Sequence, residues 1–163
     1  MSRIALTGFL VACCAISAVA RQGEAAAGLH TDYDTSKIVT LKGRMNGLDA
    51  LGTEASLLLL NGSGPSDSWA IEGDPRSLLE QAGWYDPNTR ERTVKANTEA
   101  TVSVHLPLPK SAAQARLTQL IETTLTLPIA QKVFGNFVRL GQFAYGLEVT
   151  LADGRTLPLG TRR

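Results

Sequence analysis

The sequence predicts a small, mainly β protein: a barrel of five strands, with a short helix after the third strand and a helical insertion before the last strand. Several short segments alternate between apolar and polar residues, as half-buried strands do. Helical spacing occurs only between the third and fourth segments and between the fourth and last. With 163 residues, 44% apolar and 19% charged, the chain suits one globular domain.

The first strand is predicted at residues 39–45. Valine, leucine, glycine and methionine occupy one face there, and threonine, lysine and arginine occupy the other. A turn is expected just before it at residues 34–36. Gly47 follows the strand and predicts a bulge or bend, which lets a strand curve in a small barrel.

The second and third strands are predicted to form a hairpin. Residues 54–60 contain four consecutive leucines and are too short for a typical helix, so we expect a strand that is buried on both faces. A glycine- and proline-containing loop leads to the third strand at residues 67–72. Trp69 and Ile71 share one face of that strand, and Glu72 lies on the other.

The short helix has capping residues at both ends. Asp74 is expected at the N-cap and Pro75 at the first helical position, and residues 78–82 supply an apolar stripe. Gly83 can end the helix in a left-handed conformation. Trp84 is predicted to plug the core, and residues 85–97 are predicted to form an exposed loop.

The fourth strand is predicted at residues 100–106, where alternation directs His105 outward. A helical insertion is predicted over residues 110–140. Ser111 is expected to cap its first helix, and Pro128 ends that helix and begins a second.

The last strand is predicted at residues 145–151, with Leu147, Val149 and Leu151 pointing inward. A tight turn follows, and residues 156–159 can return as a short strand. Five strands with a helix between the third and fourth is the order of an OB-like barrel. An open α+β sandwich is the alternative.

The first 27 residues predict a signal peptide. Arg3 precedes an uncharged apolar run at residues 4–20, and residues 25–27 are small alanines where a signal peptidase cuts. Cleavage after Ala20, a lipid anchor on Cys13 and an uncleaved membrane anchor are alternatives. After cleavage at Ala27, we expect a flexible lead-in at residues 28–37 and a single barrel domain at residues 38–160.

Processing changes both the cysteine content and the charge. Cys13 and Cys14 leave with the signal peptide, so the mature domain has no thiol chemistry. The chain has 16 basic and 15 acidic residues, and cleavage removes Arg3, Arg21 and Glu24, which leaves the charges balanced. This balance argues against nucleic acid as a partner. No stable membrane span is expected after processing.

Four short motifs resemble a family of small exported bacterial proteins known as domain-of-unknown-function family 6152. They are His30-x-x-Tyr33-Asp34 with residues 37–43, Trp69-Ala70-Ile71-Glu72, Leu78-Leu79 with Gly83-Trp84, and residues 151–157. Relatives carry two histidines at the mature start and an Asn-Pro-His after the first strand. This chain has only His30 at the first place and no histidine at the second. The resemblance implies a periplasmic β-barrel of unassigned function, without catalytic residues.

His30 is the candidate metal ligand. Cleavage after Ala27 would start the mature chain at Gly28-Leu29-His30. A free amine, two amides and an imidazole in that order can hold Cu(II) or Ni(II) in a square plane of four nitrogens. A terminal histidine without any role is the alternative, since chain ends are often frayed.

The remaining polar residues give little indication of chemistry. His105 is predicted to be a solvated surface residue, and with two histidines no spacing suggests zinc. Asp32 and Asp34 are expected to be solvated. No G-x-S-x-G, P-loop or G-x-G-x-x-G motif occurs.

The sequence therefore favours a non-enzymatic periplasmic binding or accessory module, whose partner is an unidentified protein or small ligand. A copper- or nickel-handling protein is the alternative, and a hydrolytic enzyme ranks last. Apolar residues of the insertion are expected to cover the barrel, or else to line a groove or dock on another protein. They are Leu117, Leu120, Ile121, Leu125, Val133, Phe134 and Phe137.

Overall fold

The computed structural model describes residues 31–160. The strands in this part of the chain are β1 (Val39–Leu51), β2 (Ala55–Asn61), β3 (Trp69–Gly73), β4 (Thr98–His105), β5 (Phe143–Leu151) and β6 (Thr156–Pro158). The α-helices are α1 (Arg76–Gln81), α2 (Ala113–Thr124) and α3 (Pro128–Arg139).

The first five strands form a closed barrel. The sheet runs in the order β3-β2-β1-β4-β5-β6, and β3 also pairs with β5, which closes the circle. That closing pair is parallel, with Ala70 opposite Phe143, whereas the other pairs are antiparallel. The predicted OB-like barrel is confirmed, and the open sandwich is wrong because β3 and β5 are paired.

Strand β1 is longer than predicted and bends in its middle. Its first half pairs with β4 from Val39 to Met45, and its second half pairs with β2 from Arg44 to Leu51. The register shifts between Met45 and Gly47, where we predicted a bulge at the glycine. A bulge increases local twist and bends the strand. The bend allows β1 to pair with both β4 and β2 around the barrel.

The barrel interior is filled by the inward residues of all five strands. Leu58, Ile71, Val102 and Val149 are fully buried in one cluster. Trp84 packs into the same cluster, and its indole N–H donates to the carbonyl of Pro158 at 2.6 Å. Burying each such side chain contributes about 1.5–3 kcal/mol. The prediction that Trp84 plugs the core is confirmed.

A second apolar cluster lies between the barrel's outer surface and the insertion. Its barrel side includes Leu57 of β2 and Phe143 of β5. Its helical side includes Leu117 of α2 and Phe134 and Val138 of α3. Strand β2 is therefore buried on both faces, as its leucine run predicts. The two helices cover the barrel, as we expected for the apolar residues of the insertion.

Two predicted helix caps are wrong. Helix α1 begins at Arg76 with Pro75 at its N-cap, and α2 has Ala112 there. Neither helix has a side-chain cap, so neither Asp74 nor Ser111 serves as one. Asp74 is instead buried, and it accepts a hydrogen bond from the Tyr145 hydroxyl at 3.2 Å. Gly83 has a φ of 88°, which agrees with the predicted left-handed helix end.

The alternation predicted for β5 fails at one residue. Ser103 faces Glu148 and Val104 faces Gly146, so Leu147 is an extra residue on β5. This bulge turns Leu147 away from the barrel interior and toward the second cluster. Val149 and Leu151 do point inward, as predicted.

His105 is buried rather than solvated, so that prediction is wrong. The described part of the lead-in, residues 31–37, runs beside the end of β4. The Asp34 N–H donates to the carbonyl of Leu106 and the Leu108 N–H donates to the carbonyl of Asp32, both at 2.9 Å. His105 is 7% exposed beneath this segment.

The loop at residues 85–97 is not exposed throughout. Tyr85 pairs with Arg92 in an isolated bridge. Tyr85 and Val94 are both buried in the barrel cluster. Two apolar residues of the loop therefore face the core, which corrects the prediction of a fully exposed loop.

Candidate functional site

An open groove of about 670 Å³ lies on the outer face of the barrel, across β1, β4 and β5. Its floor is a row of outward side chains that face one another across the strands. Lys42 of β1 is opposite Thr101 of β4, and Thr101 is opposite Thr150 of β5. Directly opposite residues in a sheet have Cβ atoms about 5 Å apart, so the row presents one continuous polar surface.

The wall of the groove is formed by the end of β2 and the start of the β2–β3 loop, which contribute Asn61 and Ser63. The Ser63 hydroxyl donates to Asp67 at 2.8 Å, and the Gly62 N–H donates to the Ser68 hydroxyl at 3.3 Å. These bonds within the loop hold the wall in one conformation. Gly43 lets β2 approach β1 here, because a Cβ at Gly43 would collide with the Asn61 carbonyl.

The groove has a small excess of positive charge. The Arg44 guanidinium donates to Glu99 at 2.6 Å and to the Asn97 carbonyl at 3.3 Å. Both partners of this ion pair are exposed, so it is worth at most about 1 kcal/mol. Lys42 makes no ion pair with any residue between 31 and 160. The Lys42 ammonium group is therefore the charge that a ligand in the groove would meet.

The residues that line the groove are suited to polar ligands. Besides the charged groups, they include the amides of Asn46, Asn61 and Asn97 and the hydroxyls of Ser63, Thr101 and Thr150. None of its lining residues is aromatic. Barrels of this class that bind single-stranded nucleic acid combine aromatic stacking with a basic surface. The part of the groove formed by residues 31–160 has no such stacking platform.

A second polar cluster is buried where helix α2 meets the barrel. Glu72 of β3 is fully buried, and its two carboxylate oxygens accept from the Arg116 guanidinium at 2.8 and 2.9 Å. The Tyr33 hydroxyl donates to the same carboxylate at 2.6 Å. Arg116 also donates to Asp32 at 3.2 Å. The predicted solvation of Asp32 is therefore wrong, because α2 places an arginine beside it.

The surroundings of this cluster shift the pKa values of Tyr33 and Arg116. Burial and the nearby Glu72 carboxylate raise the pKa of the Tyr33 hydroxyl well above its usual value. Burial lowers the pKa of Arg116, but the hydrogen bonds and charge of Glu72 outweigh it and raise the pKa overall. Each polar group is satisfied by another. The cluster therefore joins α2 to β3 and offers no open position for a substrate.

The histidines predicted as candidates lie in different situations. His30 is outside the described residues, so its copper or nickel site stays a prediction. The Nδ1 of His105 is 2.7 Å from the carbonyl oxygen of Lys37. Within residues 31–160, no group of three or more histidine, cysteine, aspartate or glutamate side chains could hold a metal ion.

Asp34 lies at the surface, whereas Asp32 is buried. Its carboxylate accepts from the Ser36 hydroxyl at 2.5 Å. That hydrogen bond lowers the pKa of Asp34. Since a general acid–base catalyst needs a pKa near the working pH, Asp34 is poorly suited to that role.

The groove was only partly foreseeable from the sequence. Alternation placed Lys42 and Thr101 on outward strand faces, but it gave no register between strands. Which outward residues would meet, and which loop would lie beside them, depends on the pairing of β1 with both β2 and β4. The buried Glu72–Arg116 pair was missed entirely, since 44 positions separate the two residues.

Comparison of the chain with models of known protein families gives no match, and no curated protein matches it significantly. Within the part of the chain that the structure describes, no helix is both long and apolar enough to cross a membrane.

Proposed function

We propose that this protein is a non-enzymatic binding or accessory module of the periplasm, and that it holds a polar ligand in the groove on the outer face of its barrel. The observation that carries this proposal is the groove itself. Its floor crosses three strands of a closed barrel, and its wall is held by hydrogen bonds within the loop. A preformed site costs a ligand less ordering free energy than a mobile one does.

A binding role is favoured over a hydrolytic one. A hydrolase that uses a Ser-His-Asp triad needs a histidine that can reach the hydroxyl nucleophile. His105 uses one ring nitrogen on the Lys37 carbonyl and is buried under the lead-in. Among residues 31–160, no histidine lines the groove.

The periplasmic part of this proposal depends on the predicted signal peptide and on the resemblance to domain-of-unknown-function family 6152. The motif residues that carry the resemblance include Trp69 and Glu72 of β3 and Gly83 after α1. Trp69 packs against the barrel core, Glu72 pairs with Arg116, and Gly83 ends α1, so the family resemblance adds no ligand to the proposal. Copper or nickel binding at His30 remains the alternative.

Filling the groove tests the proposal. Thr101→Trp would place an indole at the centre of the floor, whereas Thr123→Trp would place one on the exposed surface of α2. Isothermal titration calorimetry would use three probes: glutarate, maltotriose and an uncharged serine–asparagine hexapeptide. We expect at least one probe to bind the wild type and the Thr123→Trp variant equally.

The same probe should bind the Thr101→Trp variant at least tenfold more weakly. Far-UV circular dichroism and the unfolding midpoint would establish that both variants are folded. Equal binding to both variants, or no binding of any probe to the wild type, would contradict the proposed site.

A further inference from the structure

The barrel is closed, yet within residues 31–160 the first half of β1 has a strand neighbour on one side only. Val39–Met45 pairs with β4, but pairing with β2 begins at Arg44. Residues 39–43 therefore present an edge on the side away from β4. No other strand in the described part of the chain pairs with this edge.

That edge carries backbone groups directed away from β4. In an antiparallel pair, alternate residues direct their N–H and C=O groups to one neighbour and the residues between them direct theirs to the opposite side. The loop that follows β2 turns into a 3-10 turn at Pro65–Asp67 and does not continue along β1. An exposed row of such groups is a template for another strand.

The edge leads into the groove. Lys42 and Gly43 line the groove, and so do Asn61 and Ser63 at the point where β2 ends. A polypeptide paired with residues 39–42 would follow the line of β2 and reach these residues. The groove and the edge thus form one continuous surface for an extended chain.

The side chains of the edge indicate what such a chain would carry. Val39 and Leu41 pack partly against the barrel core. Ile38 is 65% exposed at the start of the edge, and Lys42 is exposed near its end. An incoming strand with alternating apolar and acidic residues would place apolar side chains beside Leu41 and a carboxylate beside Lys42.

The same charge argues against a second copy of this chain as the occupant. Edge lysines are a common device against pairing between identical strands. Two copies paired through residues 39–43 would bring two Lys42 ammonium groups onto one small surface, and like charges across strands destabilise the pair. A partner strand with acidic residues would instead be attracted by Lys42, so the lysine would favour acidic partners over a second copy of this chain.

We infer that the protein binds an extended, acidic polypeptide segment by strand addition to residues 39–43 of β1, with a partner carboxylate on Lys42. This inference rests on the proposed function, because it names the ligand of the same groove. Backbone hydrogen bonds would supply affinity, and the alternate side chains would supply selectivity.

The test uses a capped hexapeptide of alternating valine and glutamate. Three comparison peptides are the same sequence with N-methyl groups on alternate residues, in each of the two phases, and a valine–lysine hexapeptide. Calorimetry would measure binding to the wild-type protein, and amide chemical shifts would locate it. We expect the valine–glutamate peptide to bind at β1, and one of the two N-methylated peptides to lose binding.

Charge reversal supplies the second arm of the test. Lys42→Glu should weaken binding of the valine–glutamate peptide by about fivefold, the upper range for an exposed ion pair. It should also strengthen binding of the valine–lysine peptide. Lys132→Glu, an equal change of charge on α3, should alter neither.

The outcomes separate this inference from the proposed function. If glutarate or maltotriose binds in the groove while no peptide binds at β1, strand addition is wrong and the polar-ligand site stands. Equal binding of both N-methylated peptides would also overturn strand addition. If no probe of any kind binds in the groove, both proposals fail.

Discussion

Arg116 is the residue on which the joint between helix α2 and the barrel depends. Its guanidinium neutralises Glu72, which is fully buried on the outer side of β3. Removing one member of a buried ion pair leaves the other without a partner, which is strongly destabilising. Because the Arg116 side chain is 36% exposed, water can replace part of what is lost.

Arg116→Met should therefore lower the free energy of unfolding by about 2–3 kcal/mol, toward the lower end for broken buried pairs. Arg155→Met is the control, since Arg155 pairs with Asp153 and both side chains are more than half exposed. Its cost should stay within about 0.5 kcal/mol. Urea unfolding would measure both variants. Equal losses would show that Glu72 does not need the arginine.

Tyr33 should make the protein sensitive to alkaline pH. Its pKa is raised well above 10.0 in the folded protein. Above pH 10 the unfolded chain loses the Tyr33 proton while the folded protein keeps it, so unfolding is favoured as the pH rises. One such group changes stability by up to about 1.4 kcal/mol per pH unit.

Urea unfolding at about pH 8 and about pH 11 would test this dependence. Tyr33→Phe should reduce the loss of stability between the two pH values, although it lowers stability at both by removing the hydrogen bond to Glu72. Tyr85→Phe should reduce the loss as well, because burial also raises the Tyr85 pKa. An unchanged loss in the Tyr33→Phe variant would count against the assigned environment.

Residue-level patterns predicted the core well and the buried polar groups badly. Trp84, Val102 and Val149 were placed correctly, because apolar alternation is a local signal. His105 and Asp32 were misplaced, because their burial depends on contacts with the lead-in and with Arg116, far away in sequence. Local pattern carries no information about such partners.

Among the elements, β1 has the central place in the barrel, because it connects β4 to β2. It is the longest of the described strands, it bends at a bulge, and it pairs with β4 in its first half and with β2 in its second. The sequence predicted the bulge at Gly47 but ended the strand at Met45. Beyond the bulge the strict alternation of residues 39–45 is lost, so the pattern could not extend the strand.

Two glycines should respond to alanine in opposite directions. Gly43→Ala would drive a Cβ into the backbone carbonyl of Asn61, and should cost about 1–3 kcal/mol through overpacking. Gly135 lies within helix α3 with nothing within 4 Å of an added Cβ. Gly135→Ala should therefore raise stability by about 1 kcal/mol.

Thermal unfolding of the two glycine variants would measure this contrast against the wild type. A neutral Gly43→Ala variant would mean that β1 and β2 do not approach each other as closely as described. Such a result would also place the wall of the groove in doubt, since Asn61 forms part of it.

Across the whole molecule, the barrel has two outer surfaces that differ in what lies against them. The side formed by β2, β3 and β5 is covered by α2 and α3 through the second apolar cluster. The side formed by β1, β4 and β5 is not covered by any helix of the described part of the chain, and it carries the polar groove. The order of strands and helices predicted both the barrel and the insertion. Which side of the barrel the helices cover depends on strand register and on packing, and the order of the elements does not determine these.

The most direct measurement is amide chemical-shift mapping of the folded domain with glutarate, maltotriose and the hexapeptides described above. We expect saturable shifts centred on Lys42, Asn61, Thr101 and Thr150 for at least one probe, and no shifts of the amides of α2 and α3. Shifts centred on those helices, or no saturable shift with any probe, would contradict the assignment of the groove as the binding site.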